Sequence, residues 1–357
     1  MASISPTEIP LLEALVATPS VSGTEERLGR LIERIVRGWG LEVSRDETGV
    51  RVEVRGMRPG PTLAFVSHLD VVPPGEGWTR DPFTPVIEDG RLYGRGSGDA
   101  KASVAAMLCA AWDCAQAGLE AGRLVVLLGY GEETKHTTMG AMVQRVGRVD
   151  AALVGEPTNL DLSIAQRGLM MVDLVARGDQ RHAGYAATDG ACTNAVVRLA
   201  ADLVKLHALC QDRPHPVLGQ VTITPTMVEA GISRNVTPPV AKAVLDIRST
   251  PAWTHEEIAD VLRASLDSEV VVTSTRLVPC ETPTPSRLLE VCRAVRPTAT
   301  PYGSPTCSDW VFVRDADAIK VGPGTSRRSH TADECVDLPE VTEARAFYAN
   351  VAREYLR

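Results

Sequence analysis

Ser67-His68-Leu69-Asp70 sets an imidazole and a carboxylate two residues apart, directly after the apolar run Leu63-Ala64-Phe65-Val66. In an extended strand, residues i and i+2 project to the same face, so His68 and Asp70 leave the strand end together. An imidazole whose second nitrogen meets a carboxylate makes a metal ligand of fixed tautomer and raised basicity, although the same pair also serves as an ordinary strand-end hydrogen bond. The pattern recurs along the chain. Leu124 to Leu128 leads through Gly129-Tyr130-Gly131 into Glu132-Glu133, Ala151 to Val154 leads into Glu156, and Val321-Gly322-Pro323-Gly324 precedes Ser329-His330. Gly94, Gly96 and Gly98 frame Asp99 just ahead of the apolar stretch 104–112, which reads as a buried helix. Adjacent carboxylates such as Glu132 and Glu133 repel unless something cationic holds them. Each element alone has a bland surface reading. Their joint occurrence points to a metal centre of carboxylates and imidazoles, a donor set suited to Zn²⁺, and no paired-cysteine spacing suggests a thiolate site.

Such ligands need a scaffold that brings strand ends together. Thr7 to Gly38 has helical apolar spacing, interrupted near Thr18-Pro19-Ser20, and strands are expected at 50–55, 62–66, 124–128 and 151–154 with a helix at 102–116. That order predicts an α/β fold with helices on both faces of its sheet and ligands at the carboxyl ends of its strands. From about Gly168 the pattern becomes strand 169–178, helix 193–209, strands 220–228 and 240–248, helix 255–266 and strand 270–277. This is the ferredoxin-like α+β order, which closes its own sheet. The expected division is therefore 1–166 and 279–357 as a metal-binding domain, with 167–278 inserted. Helices at 286–295 and 340–355 complete the first.

With 357 residues, 44% apolar and 23% charged, the chain suits two globular domains. A net charge of −8, with Arg327-Arg328 the only notable basic doublet, excludes nucleic acid and anionic membrane as expected partners. Met1-Ala2-Ser3-Ile4-Ser5-Pro6 has no basic region followed by an apolar core, and no apolar run spans a membrane, so a cytoplasmic location is expected. The eight scattered cysteines read as buried, reduced thiols. Cys307, beside Ser308-Asp309, is the one in a loop where a reactive thiol could sit.

Taken in order, these motifs resemble the M20 family of co-catalytic zinc amidohydrolases and peptidases over essentially the whole chain. That likeness implies that the sheet is mixed and zinc-peptidase-like. The resemblance implies one zinc on His68, Asp99 and Glu156 and a second on Asp99, Glu133 and His330, with Asp99 bridging. Cobalt or manganese would substitute. It implies Glu132 as general base, Asp70 as the partner of His68, and a cis peptide at Asp99-Ala100. The inserted domain would be a lid and the interface of a homodimer, with His182 of Gly178-Asp179-Gln180-Arg181-His182 reaching the partner subunit's site to stabilise an oxyanion. Asn235 and Arg248 match contacts to a substrate carboxylate, and a pairing of Arg248 with Asp246 on the same strand face is equally open. Gly322 and Gly324 would let backbone amides approach substrate. The implied activity is hydrolysis of an N-acyl amino acid, first an acetylornithine deacetylase-like step in arginine biosynthesis. Succinyl-diaminopimelate desuccinylase is the alternative, followed by release of lysine or ornithine from a carrier protein. A non-catalytic metal-binding dimeric scaffold is the reading from a different class, against which the presence of Glu132 argues. His136, His207, His215 and His255 read as surface or structural. Ala102 and the stretch Thr134-Lys135-His136-Thr137-Thr138 depart from the family's usual pattern.

Overall fold

The computed structural model describes residues 4–186 and 192–357, so the reading of Met1-Ala2-Ser3 falls outside the described residues. The chain divides into two compact units: Met1–Ile164 with Thr282–Tyr302 and Ser308–Arg357, and Ala165–Glu281 with Gly303–Cys307.

In the first unit the strand Leu119–Gly129 has Gly49–His68 on both sides of it. Pairing runs down from Gly49↔Gly129 to Gly56↔Leu119 and then up from Thr62↔Arg123 to His68↔Gly129. The two short strands expected at 50–55 and 62–66 are thus legs of one continuous strand that turns through Gly56–Pro61. Glycine is required at this turn, since a Cβ on Gly122 would lie 2.0 Å from the Pro61 carbonyl oxygen. Ala151–Val154 pairs in parallel with the second leg, and Asp317–Lys320 pairs in parallel with Ala151–Val154.

The central strands read as unbroken apolar runs because both of their faces are buried. Leu63, Phe65, Leu124, Val126 and Leu128 join a large core, while the alternating Ala64, Val66, Val125 and Leu127 are equally covered on the opposite face. The large core includes residues of helices Glu8–Val16, Glu26–Gly38, Ala102–Ala117, Arg287–Val295 and Leu338–Tyr355. Ala102–Ala117 is buried on every side from Ala102 to Ala111, with Asp113 and Gln116 its polar residues near the end. A small antiparallel sheet of Val86–Glu88, Arg91–Tyr93 and Cys335–Asp337 brings the segment before Asp99 together with the segment after His330. Among the described residues, no helix is long and apolar enough to cross a membrane.

The second unit is a four-stranded antiparallel sheet in the order Glu269–Leu277, Gly168–Arg177, Val240–Ser249, Thr222–Ala230. Period-two alternation buries Met170, Val172, Leu174 and Ala176 against helices Ala195–Lys205 and His255–Ser265 through Leu199, Ile258 and Leu262. Both helices start on side-chain caps, Asn194 accepting from Val196 and Val197 amides and Thr254 forming a capping box with Glu257. Thr222–Ala230 is an edge strand whose side chains are mostly exposed.

Candidate metal centre

Parallel pairing aligns the strand ends that carry the acids. His68 stands opposite Gly129, Val66 opposite Val154, and Lys320 opposite Val154. His68, Glu132-Glu133, Glu156 and Gly322 therefore leave the sheet at one edge, the usual ligand edge of parallel strands. Asp99 comes from Ser97–Lys101, at the entry to Ala102–Ala117, and the Asp99-Ala100 peptide is cis. His330 comes from the loop before Cys335–Asp337, with φ at +65°.

These residues form two overlapping sets, His68 with Asp99 and Glu156, and Asp99 with Glu133 and His330, and His68 also lies close to Glu132 and Glu133. His68 Nε2 lies 3.3 Å from Asp99 Oδ1 and 3.9 Å from Glu156 Oε1. His330 Nε2 lies 3.0 Å from Glu133 Oε1 and 3.7 Å from Asp99 Oδ2. Two donors about 2.1 Å from one tetrahedral ion lie about 3.4 Å apart, so both sets have the spacing a zinc-sized ion requires. Electrostatics point the same way. Burial, joined by the fields of Asp99 and Glu133, pushes the Glu156 carboxyl up to about 8. Burial likewise pushes Glu132 well above the usual carboxylate range, with Glu156, Asp309 and Glu133 adding to it. Carboxylates crowded in this way need a nearby dication to stay ionised together.

The side chains around the donors explain how they are held. Burial opposes charge on the Asp70 carboxyl, yet contacts from His68, Ser22 and the Glu133 amide bring it down to about 2. Its oxygens accept from the amides of Glu132 and Glu133, both at 3.0 Å, and from Ser22 Oγ at 2.7 Å. His68 Nδ1 lies 3.0 Å from the Asp70 main-chain carbonyl and 3.5 Å from its carboxylate. Asp70 thus meets His68 through both its backbone carbonyl and its carboxylate, and the carboxylate also holds the amides of the paired glutamates. Glu334 does the corresponding work for Asp99. Its buried carboxylate accepts from the amides of Gly96, Gly98 and Asp99, each at 3.0 Å, and from Arg95 Nη1 at 2.6 Å. The Arg95 guanidinium also covers the Trp78 ring at 5.1 Å.

Several expectations change on inspection of the contacts. The Gly322 amide donates to Thr158 Oγ1 at 3.1 Å and the Gly324 amide to Glu340 Oε2 at 2.7 Å. Both are engaged within the chain, so they do not present free donors to a substrate. Gly322 is instead needed for packing, because a Cβ there would meet Ser103 Oγ at 2.4 Å and the Glu156 carbonyl at 2.6 Å. In the second unit, His182 bridges to Val236 and the Ala183 amide donates to the Asn235 carbonyl, so His182 and Asn235 are brought side by side, both exposed. Arg248 donates to both oxygens of Asp246, at 2.7 and 3.0 Å, which is the pairing the strand spacing left open. His215 contacts Glu281, and His255 sits between Ser249 Oγ and the Thr275 carbonyl, both structural. His136 is not a surface residue: Glu132 and Asp309 enclose it. Glu334 stood in the same motif as His330 without a role, and four residues of spacing gave no sign of its hold on Asp99.

Residues 64–354 match the model of peptidase family M20/M25/M40. Two relatives named succinyl-diaminopimelate desuccinylase, from strains of Cereibacter sphaeroides, are 31% and 32% identical over 97% of this chain and 98% of their own. Aminopeptidase PepT from Bacillus cereus superposes with a TM-score of 0.83 at 18% identity, covering 100% of both chains. An M20 family metallo-carboxypeptidase, Sso-CP2 from Sulfolobus solfataricus, gives 0.79 at 18% identity over 98% of this chain and 99% of its own. At those identities the solved structures establish the fold.

Proposed function

The chain belongs to peptidase family M20/M25/M40, metal-dependent hydrolases of amides, and from that premise we propose that it removes the succinyl group from succinyl-diaminopimelate. What carries the reading is the single edge at which Asp99, Glu132, Glu133, Glu156, His68 and His330 converge, in a chain that matches desuccinylases end to end. The acetylornithine deacetylase reading, and with it arginine biosynthesis, gives way to this one because the full-length relatives carry the desuccinylase name.

His68, Asp99 and Glu156 would hold one zinc ion and Asp99, Glu133 and His330 a second, with cobalt or manganese able to replace it. Ions in these positions would acidify a water molecule and polarise the amide carbonyl. Glu132 binds neither ion and is left to handle protons. It takes one from the attacking water and delivers one to the nitrogen that leaves as the amine, which restores its carboxylate. Asp70 fixes the amides of Glu132 and Glu133 and so keeps base and ligand in register.

We assign His182 to the oxyanion, supplied by a second copy of the chain, and Asn235 with Arg248 to a substrate carboxylate. Asp246 holds the Arg248 guanidinium plane for that task. A homodimer through the second unit is supported by exposed Val197 and Val204 on its helix and Met227 and Val228 on its edge strand.

The test compares succinate release from N-succinyl-L,L-diaminopimelate with acetate release from N-acetylornithine, with Zn²⁺ added. We expect kcat/KM to favour the succinyl substrate by at least about tenfold, a modest demand on acyl discrimination. Preference for N-acetylornithine, or turnover of neither, overturns the proposal.

A further inference from the structure

A further grouping of acid and imidazole, Glu132 with His136 and Asp309, lies beside the metal donors. His136 sits on the loop between Leu119–Gly129 and Thr138–Val146, with φ at +44°, in the left-handed region that non-glycine residues rarely adopt. The amides of Lys135 and His136 both donate to the Gly131 carbonyl, at 3.1 and 2.9 Å, which closes a tight turn directly after the paired glutamates. That turn folds the imidazole back over Glu132. His136 Nε2 lies 3.6 Å from Glu132 Oε1, and His136 Nδ1 lies 3.4 Å from Asp309 Oδ1. Glu132 is 8% exposed and Asp309 3%, so the row is sheltered from water. Asp309 comes from the short helical turn Asp309–Phe312, 173 residues away in sequence.

We infer that His136, anchored by Asp309, is a positioning residue for the Glu132 carboxylate. The inference rests on the reading of Glu132 as general base. A glutamate side chain has three rotatable bonds, and a base must meet its water within a few tenths of an ångström to be effective. The Glu132 amide is fixed by Asp70, but that fixes only the root of the side chain. Its far end has the His68 imidazole as a favourable neighbour and Glu156, Asp309 and Glu133 as repelling ones, and His68 is already directed at Asp99. His136 supplies the polar face against which that end can rest, and Asp309 sets the ring's orientation. The arrangement differs from that of His68 and His330, where one nitrogen is directed at the shared Asp99. Both ring nitrogens of His136 face carboxylates outside the two metal sets.

The experiment is a double-mutant cycle of wild type, His136→Ala, Glu132→Gln and the double variant, with kcat, KM and bound zinc measured for each on N-succinyl-diaminopimelate. His136→Ala should lower kcat by about ten- to a hundredfold, the range a misplaced reacting group costs, with KM and zinc content unchanged. Glu132→Gln should lower it by at least about a hundredfold. The double variant should be no slower than Glu132→Gln, because a residue acting through Glu132 has nothing left to position. His136→Gln, whose amide reaches the place of Nε2, should recover part of the loss. Wild-type kcat in His136→Ala beside an impaired Glu132→Gln overturns the inference alone, as do losses that multiply in the double variant or a loss of zinc in His136→Ala. Wild-type turnover by Glu132→Gln overturns the base assignment on which it rests.

Discussion

His68 and His330 flank Asp99 in different surroundings. The His68 side chain is 1% exposed, at the end of a strand paired on both sides, whereas His330 is 51% exposed on a loop in left-handed conformation. The carboxylates differ in what precedes them rather than in exposure, Glu156 being 13% and Glu133 10% exposed. Glu156 follows a fully buried strand, while Glu133 follows the turn Tyr130-Gly131-Glu132 and depends on Asp70 for its amide contact. Ligands fixed by the sheet lose little freedom on binding an ion; ligands on loops must be ordered by it. On the proposed reading, one half of the centre is preorganised and the other would be completed by the ion. Of the second set, only His330 is open to water.

The largest effect should come from the residue the halves share. Asp99→Ala removes a donor from both sets, so elemental analysis should find neither equivalent of zinc and turnover should drop to background. His68→Ala and His330→Ala should each lose about one equivalent. A full equivalent retained by Asp99→Ala would separate the two sets and end the account of a bridging carboxylate.

Next is the clamp on Asp99. Glu334→Ala leaves the Arg95 guanidinium buried without its carboxylate and frees three amides that now donate to it. Breaking a buried pair by removing one partner costs about 3 to 5 kcal/mol. Denaturant unfolding followed by tryptophan fluorescence should show that loss, with weakened zinc binding in whatever fraction stays folded. Unchanged stability would mean that the loop around Asp99 is held by other contacts.

Metal removal tests the contrast directly. Titration with a chelator should withdraw zinc in two steps, with dissociation constants at least about tenfold apart, the lower end of what support around a ligand contributes. Excess zinc should restore activity to His330→Ala more readily than to His68→Ala. A single step, or the reverse order of rescue, would show that burial does not set affinity here.

How much of this was legible in the chain follows from the same contrast. His68, Glu132, Glu133 and Glu156 announce themselves because an apolar run must end where the sheet ends, and an acid or imidazole at that point leaves at the ligand edge. The four-stranded order of the second unit was equally readable, since strand–helix–strand–strand–helix–strand closes in few ways. Contacts made at long range were not. Asp309 lies 173 residues from His136, and Glu334 lies 235 residues from the Asp99 amide it accepts from. No local pattern distinguishes those acids from solvated ones. Gly322 and Gly324 misled for a related reason: glycine beside a site looks like access for a ligand, and only the partners of their amides, together with the close atoms around Gly322, reveal that the chain itself takes them up.

The smallest effect is expected at Ser22, on the buried side. Its hydroxyl is one of three donors to the Asp70 carboxylate, with the amides of Glu132 and Glu133 the others. Ser22→Ala removes that donor but leaves both amides and the nearby His68 ring in place, so Asp70 stays ionised and oriented. The loss should be that of a single hydrogen bond to a charged group, about 1.5 to 3 kcal/mol at most and less where water can replace the hydroxyl. Since Ser22 is half-buried, water can enter, and kcat/KM should fall by less than about tenfold, the equivalent of 1.36 kcal/mol. Zinc stoichiometry should not change. A hundredfold loss, or zinc lost from the His68 side, would mean that Asp70 hangs on this one hydroxyl and that the buried half is as loosely held as the exposed one.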